Sequence, residues 1–183
     1  MEKNKEIKIS KFLSYVLRHR PEKIGLNIDK NGWTDVGELL GKLENTTFDE
    51  LCEVVRNSDK QRFKFNDDKT KIKANQGHSI KVDLGLTPIM PPDKLYHGTA
   101  ERFLSLIEKE GLKKMNRHHV HLYGEKNMEK ALATGQRHQK RGNAVVLAIS
   151  TREMYKKGIE FFKTDNNVYL TDFVHRKYIT KNN

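Results

Sequence analysis

Three of the chain's four prolines fall within five residues, at Pro88, Pro91 and Pro92. Proline has no backbone donor and a fixed φ, and it pushes the residue before it out of the helical region, so neither a helix nor a central strand runs through this stretch. A chain of 183 residues broken near its middle folds most simply as two lobes. The expected bounds are 1–87 for the first lobe, 88–93 for a Pro-rich linker and 94–183 for the second.

The two lobes carry different periodicities. In the first, Ile9, Phe12, Leu13, Val16 and Leu17 lie on one helical stripe that Pro21 must end. Thr34 and Asp35 are placed to cap a second helix bearing Val36, Leu39, Leu40 and Leu43. Thr47 with Glu50 forms a capping-box pattern for a third, whose expected buried stripe is Phe48, Leu51, Cys52 and Val55. After Ser58 the period becomes two, over Arg62–Phe65 and again over Lys71–Ala74, with turn residues Asn66–Lys69 between them. Three helices followed by a basic hairpin is the layout of a winged helix, which serves nucleic-acid and protein partners alike. In the second lobe, strands are expected at Leu95–His97, Val120–Leu122, Ala144–Ile149, Ile159–Phe162, Val168–Leu170 and Val174–Ile179. One helix is expected from Phe103, stopped by Gly111. The fold class is therefore α+β, and no G-x-G-x-x-G follows any strand, which excludes a Rossmann site.

Thirty-five Lys and Arg against 24 Asp and Glu give a formal charge of +11, a field that attracts polyanions such as nucleic acid or acidic membranes. The single Cys52 excludes an internal disulfide framework and a cysteine zinc site. No run approaches the roughly 20 apolar residues of a membrane helix, and Met1–Ser10 is charged rather than signal-like. The expectation is a soluble cytoplasmic monomer with no membrane partner.

The motifs narrow this further. The chain resembles the KptA family of NAD-dependent RNA 2′-phosphotransferases in Leu13-Ser14-Tyr15-Val16-Leu17-Arg18-His19-Arg20-Pro21, Asn31-Gly32-Trp33, Arg62-Phe63 and Ala74-Asn75-Gln76-Gly77-His78-Ser79. The order continues through Tyr96-His97-Gly98-Thr99, Arg117 with His119-Val120-His121-Leu122, and Val168-Tyr169-Leu170-Thr171-Asp172. The resemblance implies a winged-helix lobe for RNA and an ADP-ribosyltransferase-like lobe for NAD, sharing one basic cleft. It implies that Arg18, His19, Arg62 and Arg117 are catalytic.

By the same resemblance the RNA 2′-phosphate attacks the anomeric carbon of NAD and nicotinamide leaves, giving an ADP-ribosylated RNA phosphate. The neighbouring ribose hydroxyl then attacks phosphorus, releasing 2′-hydroxyl RNA and ADP-ribose 1″,2″-cyclic phosphate. The residue types suit this, because a 2′-phosphomonoester carries about 1.5 to 2 negative charges that guanidinium forks grip bidentately. Histidine exchanges a proton near neutrality, so His19 is assigned mainly to the second step.

His97, His121 and Val168 resemble the signature positions of the ADP-ribosyltransferase fold, with Val168 where many relatives carry glutamate. A phosphate nucleophile is already anionic and needs no carboxylate base. His97, Gly98, Thr99, His121, Val168 and Arg137 are the candidate NAD-binding residues, and Lys73, Gln76 and His78 the candidate RNA-binding residues. Two departures from the family pattern are Lys73, where arginine is expected, and Tyr123, where a smaller hydroxyl residue is usual.

Blander readings stand beside these. Arg18-His19-Arg20 can offset a helix dipole, Gly98-Thr99 can be a turn, Gln76 and His78 can lie in a solvated loop, and Val168 can be a core valine. A zinc enzyme built on His118, His119 and His121 lacks a completing Cys or carboxylate at ligand spacing, so no metal is expected. The same sequence is also compatible with a non-catalytic winged-helix binder, or with an ADP-ribosyltransferase acting on protein or nucleic-acid ends. A tRNA-like RNA bearing an internal 2′-phosphate is the expected substrate, as in tRNA splicing.

Overall fold

The computed structural model describes residues 1–58, 60–136 and 143–181. The chain divides into two compact units, Met1–Gly85 and Leu86–Asn183, both mixing helices with antiparallel sheets. The Pro-rich stretch is tied into the second unit, where the Ile89 N–H donates to the Phe161 carbonyl at 2.7 Å.

In the first unit, α1 (Lys3–Arg18) buries Ile9, Leu13, Val16 and Leu17 and stops before Pro21. Helix α2 (Val36–Lys42) is capped by Asp35, whose carboxylate accepts from the Glu38 N–H at 2.7 Å. Helix α3 (Phe48–Arg56) opens with the full capping box: Thr47 Oγ1 accepts from the Glu50 N–H, and the Glu50 carboxylate from the Thr47 N–H. Its buried residues are Leu51 and Val54. Phe48 is 40% exposed and Cys52 and Val55 are only half-buried, so the buried face is rotated from the expected one. The reason is that Phe48, at the first turn, packs sideways against Phe65 at 6.2 Å between ring centroids rather than inward.

The hairpin consists of β2 (Phe63–Phe65) and β3 (Lys71–Ala74), and β3 also pairs with the two-residue β1 (Thr34–Asp35), giving an antiparallel sheet in the order β1-β3-β2. Leu13, Leu17, Leu39, Leu51 and Ile72, all fully buried, lock helices to sheet. Each such side chain contributes about 1.5 to 3 kcal/mol by leaving water.

The second unit is built on a six-stranded antiparallel sheet whose central strands are β4 (Lys94–Ala100), β6 (Val120–Tyr123) and β7 (Ala144–Ser150). The others are β8 (Phe162–Lys163), β9 (Val168–Thr171) and β11 (Ile179–Lys181), in the order β11-β7-β4-β6-β9-β8. A two-stranded ladder pairs β5 (Leu112–Lys113) with β10 (Phe173–Val174). Alternation along β4 sends Leu95 into a large core with Leu122, Ile149, Met154 and Phe161, and Tyr96 into a smaller one with Ala131 and Ala148.

Helix α4 (Leu104–Glu110) ends at Gly111, φ 77°. Helices α5 (Met128–Gln136) and α6 (Thr151–Lys156) are additions to what periodicity predicts. The expected strand Val174–Ile179 is broken into β10, a 3-10 turn at Arg176–Tyr178 and β11, because His175 Nδ1 accepts from the Lys177 N–H and turns the chain. No described helix is long and apolar enough to cross a membrane.

Candidate functional site

In the first unit the end of α1, the start of β2 and the segment after β3 come together. Pro21 forces α1 to finish at Arg18, whose carbonyl is then taken by the N–H groups of Ser79 at 2.8 Å and Ile80 at 3.3 Å. This pins the 74–80 segment under the helix end. The Arg62 carbonyl accepts from the Asn75 N–H at 2.9 Å and from Arg18 Nη2 at 3.4 Å. The Arg18 guanidinium lies 5.8 Å from the Phe63 ring centroid. Arg62 is held by Ser58, whose Oγ lies 3.1 Å from its N–H and 3.3 Å from Nη1.

His19 Nδ1 is 2.9 Å from Ser79 Oγ. That hydroxyl makes a long 3.5 Å hydrogen bond to the Arg18 carbonyl, which uses its proton and leaves its oxygen to accept from Nδ1–H. The other ring nitrogen, Nε2, takes no part in this contact. The Arg18 side chain thus reaches the Arg62 backbone, and His19 lies at the same helix end. Ser58 and Ser79, to which the sequence assigns no role, hold Arg62 and His19. Hydroxyl residues after a turn carry no periodic signal that would single them out.

The candidate RNA-binding residues flank these residues. Lys73 is 8% exposed, with its ammonium 4.7 Å from the Trp33 ring centroid. Lys64, directly opposite it across the hairpin, lies 5.9 Å from the same ring. A flexible ammonium on an aromatic face is fixed at a modest gain of about 0.5 to 2 kcal/mol. His78 is buried against the backbone of Gly32, which stands at φ 84°, where only glycine fits readily. Gln76 is half-buried, and among the described residues its Oε1 accepts no hydrogen bond.

In the second unit His97, on β4, donates Nδ1–H to the His121 carbonyl of β6 at 2.9 Å. Burial pushes its pKa below the ordinary 6.5, the carbonyl bond opposes this, and the nearby positive charge of Arg117 lowers it further. The ring is therefore neutral with its proton on Nδ1 and presents Nε2 as an acceptor. Arg117 itself is exposed in the loop before β6.

Val168 is 4% exposed at the start of β9, opposite Tyr123. The β8–β9 turn sets it there, with Val168 N–H donating to Thr164 Oγ1 at 3.2 Å and Asn167 at φ 61°. Gly98 allows a close approach, but the approaching group is protein: a Cβ there would lie 1.6 Å from the Ala131 carbonyl oxygen of α5. Thr99, 7% exposed, continues the strand beneath the same helix. Tyr123 points its hydroxyl at Thr134 Oγ1 of α5, 3.4 Å away. Arg137 lies outside the described residues. Burial also lowers the pKa of His119, opposed by Asp172 and reinforced by His118 and Lys114. Among the described residues no group of three His, Cys, Asp or Glu could hold a metal ion.

The profile of the "RNA 2'-phosphotransferase, Tpt1 / KptA family" matches residues 4–173. A protein of Flavobacterium johnsoniae named "Probable RNA 2'-phosphotransferase" is 51% identical over 183 residues, spanning 98% of each chain. Proteins of the same name from Trichormus variabilis and Fusobacterium nucleatum are 48% and 46% identical, the first over 98% of each chain, the second over 95% of this chain and 97% of its own. With a family profile and full-length relatives both matching, the chain belongs to the RNA 2'-phosphotransferase, Tpt1 / KptA family.

Proposed function

We propose that this protein removes an internal 2′-phosphate from RNA by transferring it to NAD, and that its two units are a winged helix for RNA and an ADP-ribosyltransferase-like lobe for NAD. The order helix, strand, two helices, hairpin in the first unit supports the winged-helix reading. The observation that carries the proposal is the meeting of α1's end with the start of β2, where the Arg18 guanidinium donates to the Arg62 carbonyl and His19 stands beside Ser79.

Arg18, Arg62 and Arg117 carry the charge of the phosphate, whose transfer depends on positioning and electrostatic stabilisation. In the first step a phosphate oxygen forms a bond to the anomeric carbon of the NAD ribose as the bond to nicotinamide breaks. Nicotinamide leaves as a neutral amide, so no general acid is required. In the second step the adjacent ribose hydroxyl loses its proton and bonds to phosphorus, while the RNA 2′-oxygen departs and takes up a proton. His19, through Nε2, is suited to move that proton. Neutral His97 offers an acceptor to the ribose hydroxyls, with Thr99, His121 and Val168 forming the surrounding strand wall. Gly98 contributes by letting α5 close on β4. Lys73, Gln76 and His78 hold the RNA beside its phosphate.

The test is incubation with NAD and RNA bearing one internal 2′-phosphate, beside the same RNA without it. The expected result is nicotinamide release and RNA dephosphorylation with the first RNA only. NAD consumption with phosphate-free RNA, or modification of RNA ends or of protein, would favour a general ADP-ribosyltransferase instead. In His19→Ala, an ADP-ribosylated RNA intermediate accumulates if His19 acts in the second step; its absence would overturn that assignment.

A further inference from the structure

The proposed reaction uses one phosphate of a long polyanion, and the second unit carries a cationic surface that this reaction does not use. A hollow of about 390 Å³ is bounded by Lys156, Lys157, Lys177 and Glu153 over the ring of Tyr178. On the other side of the 3-10 turn Arg176–Tyr178, a cleft of about 100 Å³ is rimmed by Arg176, Lys181 and Glu108. Five cations therefore face two carboxylates across one short turn. None of the five forms an ion pair among the described residues, and Lys177 is steadied by the Tyr178 ring at 4.9 Å.

The backbone beneath them is fixed. Met154 of α6 is fully buried and Tyr178 is 6% exposed, so helix and turn are both anchored in the large core. Compensation of a helix dipole accounts at most for Lys156 and Lys157 at the end of the six-residue α6, and not for Arg176, Lys177 or Lys181. Strand spacing places this surface relative to His97. Leu95 and Ile179 both pair with Ile149, so Ile179 lies two strands across and two residues along from His97, about 12 Å away, and Lys177 lies in the 3-10 turn beyond it. At about 3.4 Å of helix axis per phosphate of one strand, that distance already spans about three to four phosphates.

Resting on the proposed function, we propose that the surface formed by α6 and the Arg176–Lys181 segment docks the phosphodiester backbone of the RNA substrate at nucleotides remote from the reacting 2′-phosphate. RNA fits better than a membrane, because the surface is concave and its rim is mostly cationic, and the one large exposed apolar side chain of α6, Tyr155, is a ring able to stack on a base. The interaction adds affinity for long structured RNA and reads no sequence.

The test compares a 2′-phosphorylated dinucleotide, too short to reach the surface, with a 2′-phosphorylated RNA hairpin, using wild type and the triple variant K156E/K157E/K177E. The expected result is at least a tenfold loss of kcat/KM on the hairpin and no change on the dinucleotide. The slope of log kcat/KM against log salt for the hairpin should become shallower by about two to three. The neutral variant K156Q/K157Q/K177Q, gentler on folding, should show the same pattern with a smaller loss. Equal losses on both substrates, or none on the hairpin, would overturn the proposal. Loss of binding to phosphatidylserine vesicles with hairpin turnover intact would assign the surface to a membrane and overturn it too. Wild type that turns over neither substrate would instead sink the proposed function, so the two failures are distinguishable.

Discussion

Gly98→Ala should be among the most damaging single-methyl additions in the second unit. The added Cβ would stand 1.6 Å from the Ala131 carbonyl oxygen, where ordinary contact is roughly 3.5 Å. The obstacle is helix backbone rather than a flexible side chain, so α5 would have to withdraw by about 2 Å. Gly135, on the same helix, also meets the strand closely, its built Cβ being 2.6 Å from the Thr99 carbonyl oxygen. Withdrawal would also open the small core of Tyr96, Ala131 and Ala148. Overpacking relieved by side-chain movement costs about 1 to 3 kcal/mol, and a displaced helix puts this case at about 3 kcal/mol or more. At about 4 to 8 °C per kcal/mol for a unit of this size, the melting transition should fall by at least about 12 °C. Urea and thermal unfolding followed by circular dichroism measure this directly. Gly41→Ala is the control: no atom lies within 4 Å of its built Cβ, and it sits in α2, so alanine should stabilise by about 0.5 to 1 kcal/mol. A loss below about 1 kcal/mol for Gly98→Ala would refute the assignment of this glycine to helix packing.

Two further outcomes are expected. Arg18→Lys and Arg62→Lys should each lower kcat/KM for 2′-phosphate removal by about 100- to 1,000-fold, since an ammonium cannot reproduce the fork; steady-state kinetics on one phosphorylated RNA would show it, and near-wild-type rates would remove either residue from the site. For pH, His97 and His119 both have folded-state pKa values below the ordinary 6.5, so the unfolded chain binds protons first as pH falls. Their contribution to stability is full above about pH 6.5 and is lost as pH drops toward the folded values. His97→Gln, which keeps a donor for the His121 carbonyl, should flatten this dependence in urea titrations from pH 7.5 to 5, and an unchanged slope would contradict it.

What can be read from sequence is what local rules determine. Helix α1 needs only its apolar stripe and Pro21. Helix α3 needs only Thr47 and Glu50, and both capping hydrogen bonds form. The hairpin follows from alternation around Asn66–Lys69. Elements set by tertiary partners are not legible. Strand β1 is two residues long and exists because β3 offers it an edge. Helix α5 is short of apolar residues, and its place depends on Gly98 and Gly135 meeting backbone across the helix–strand interface. The site shows the same division. Arg18, His19, Arg62 and His97 stand out by chemical type and motif, whereas Ser58 and Ser79, which hold Arg62 and His19, become visible only with α1 and the 74–80 segment folded together. Gly98 reads in sequence as an opening for ligand, and its nearest demand is instead α5.

If phosphate moves from RNA to the NAD ribose, the most direct measurement follows the fate of that phosphorus. With RNA radiolabelled at the 2′-phosphate and NAD in excess, all label lost from RNA should appear in ADP-ribose cyclic phosphate, with one nicotinamide released per phosphate transferred. Label appearing as inorganic phosphate, at a rate independent of NAD, would contradict the proposed reaction.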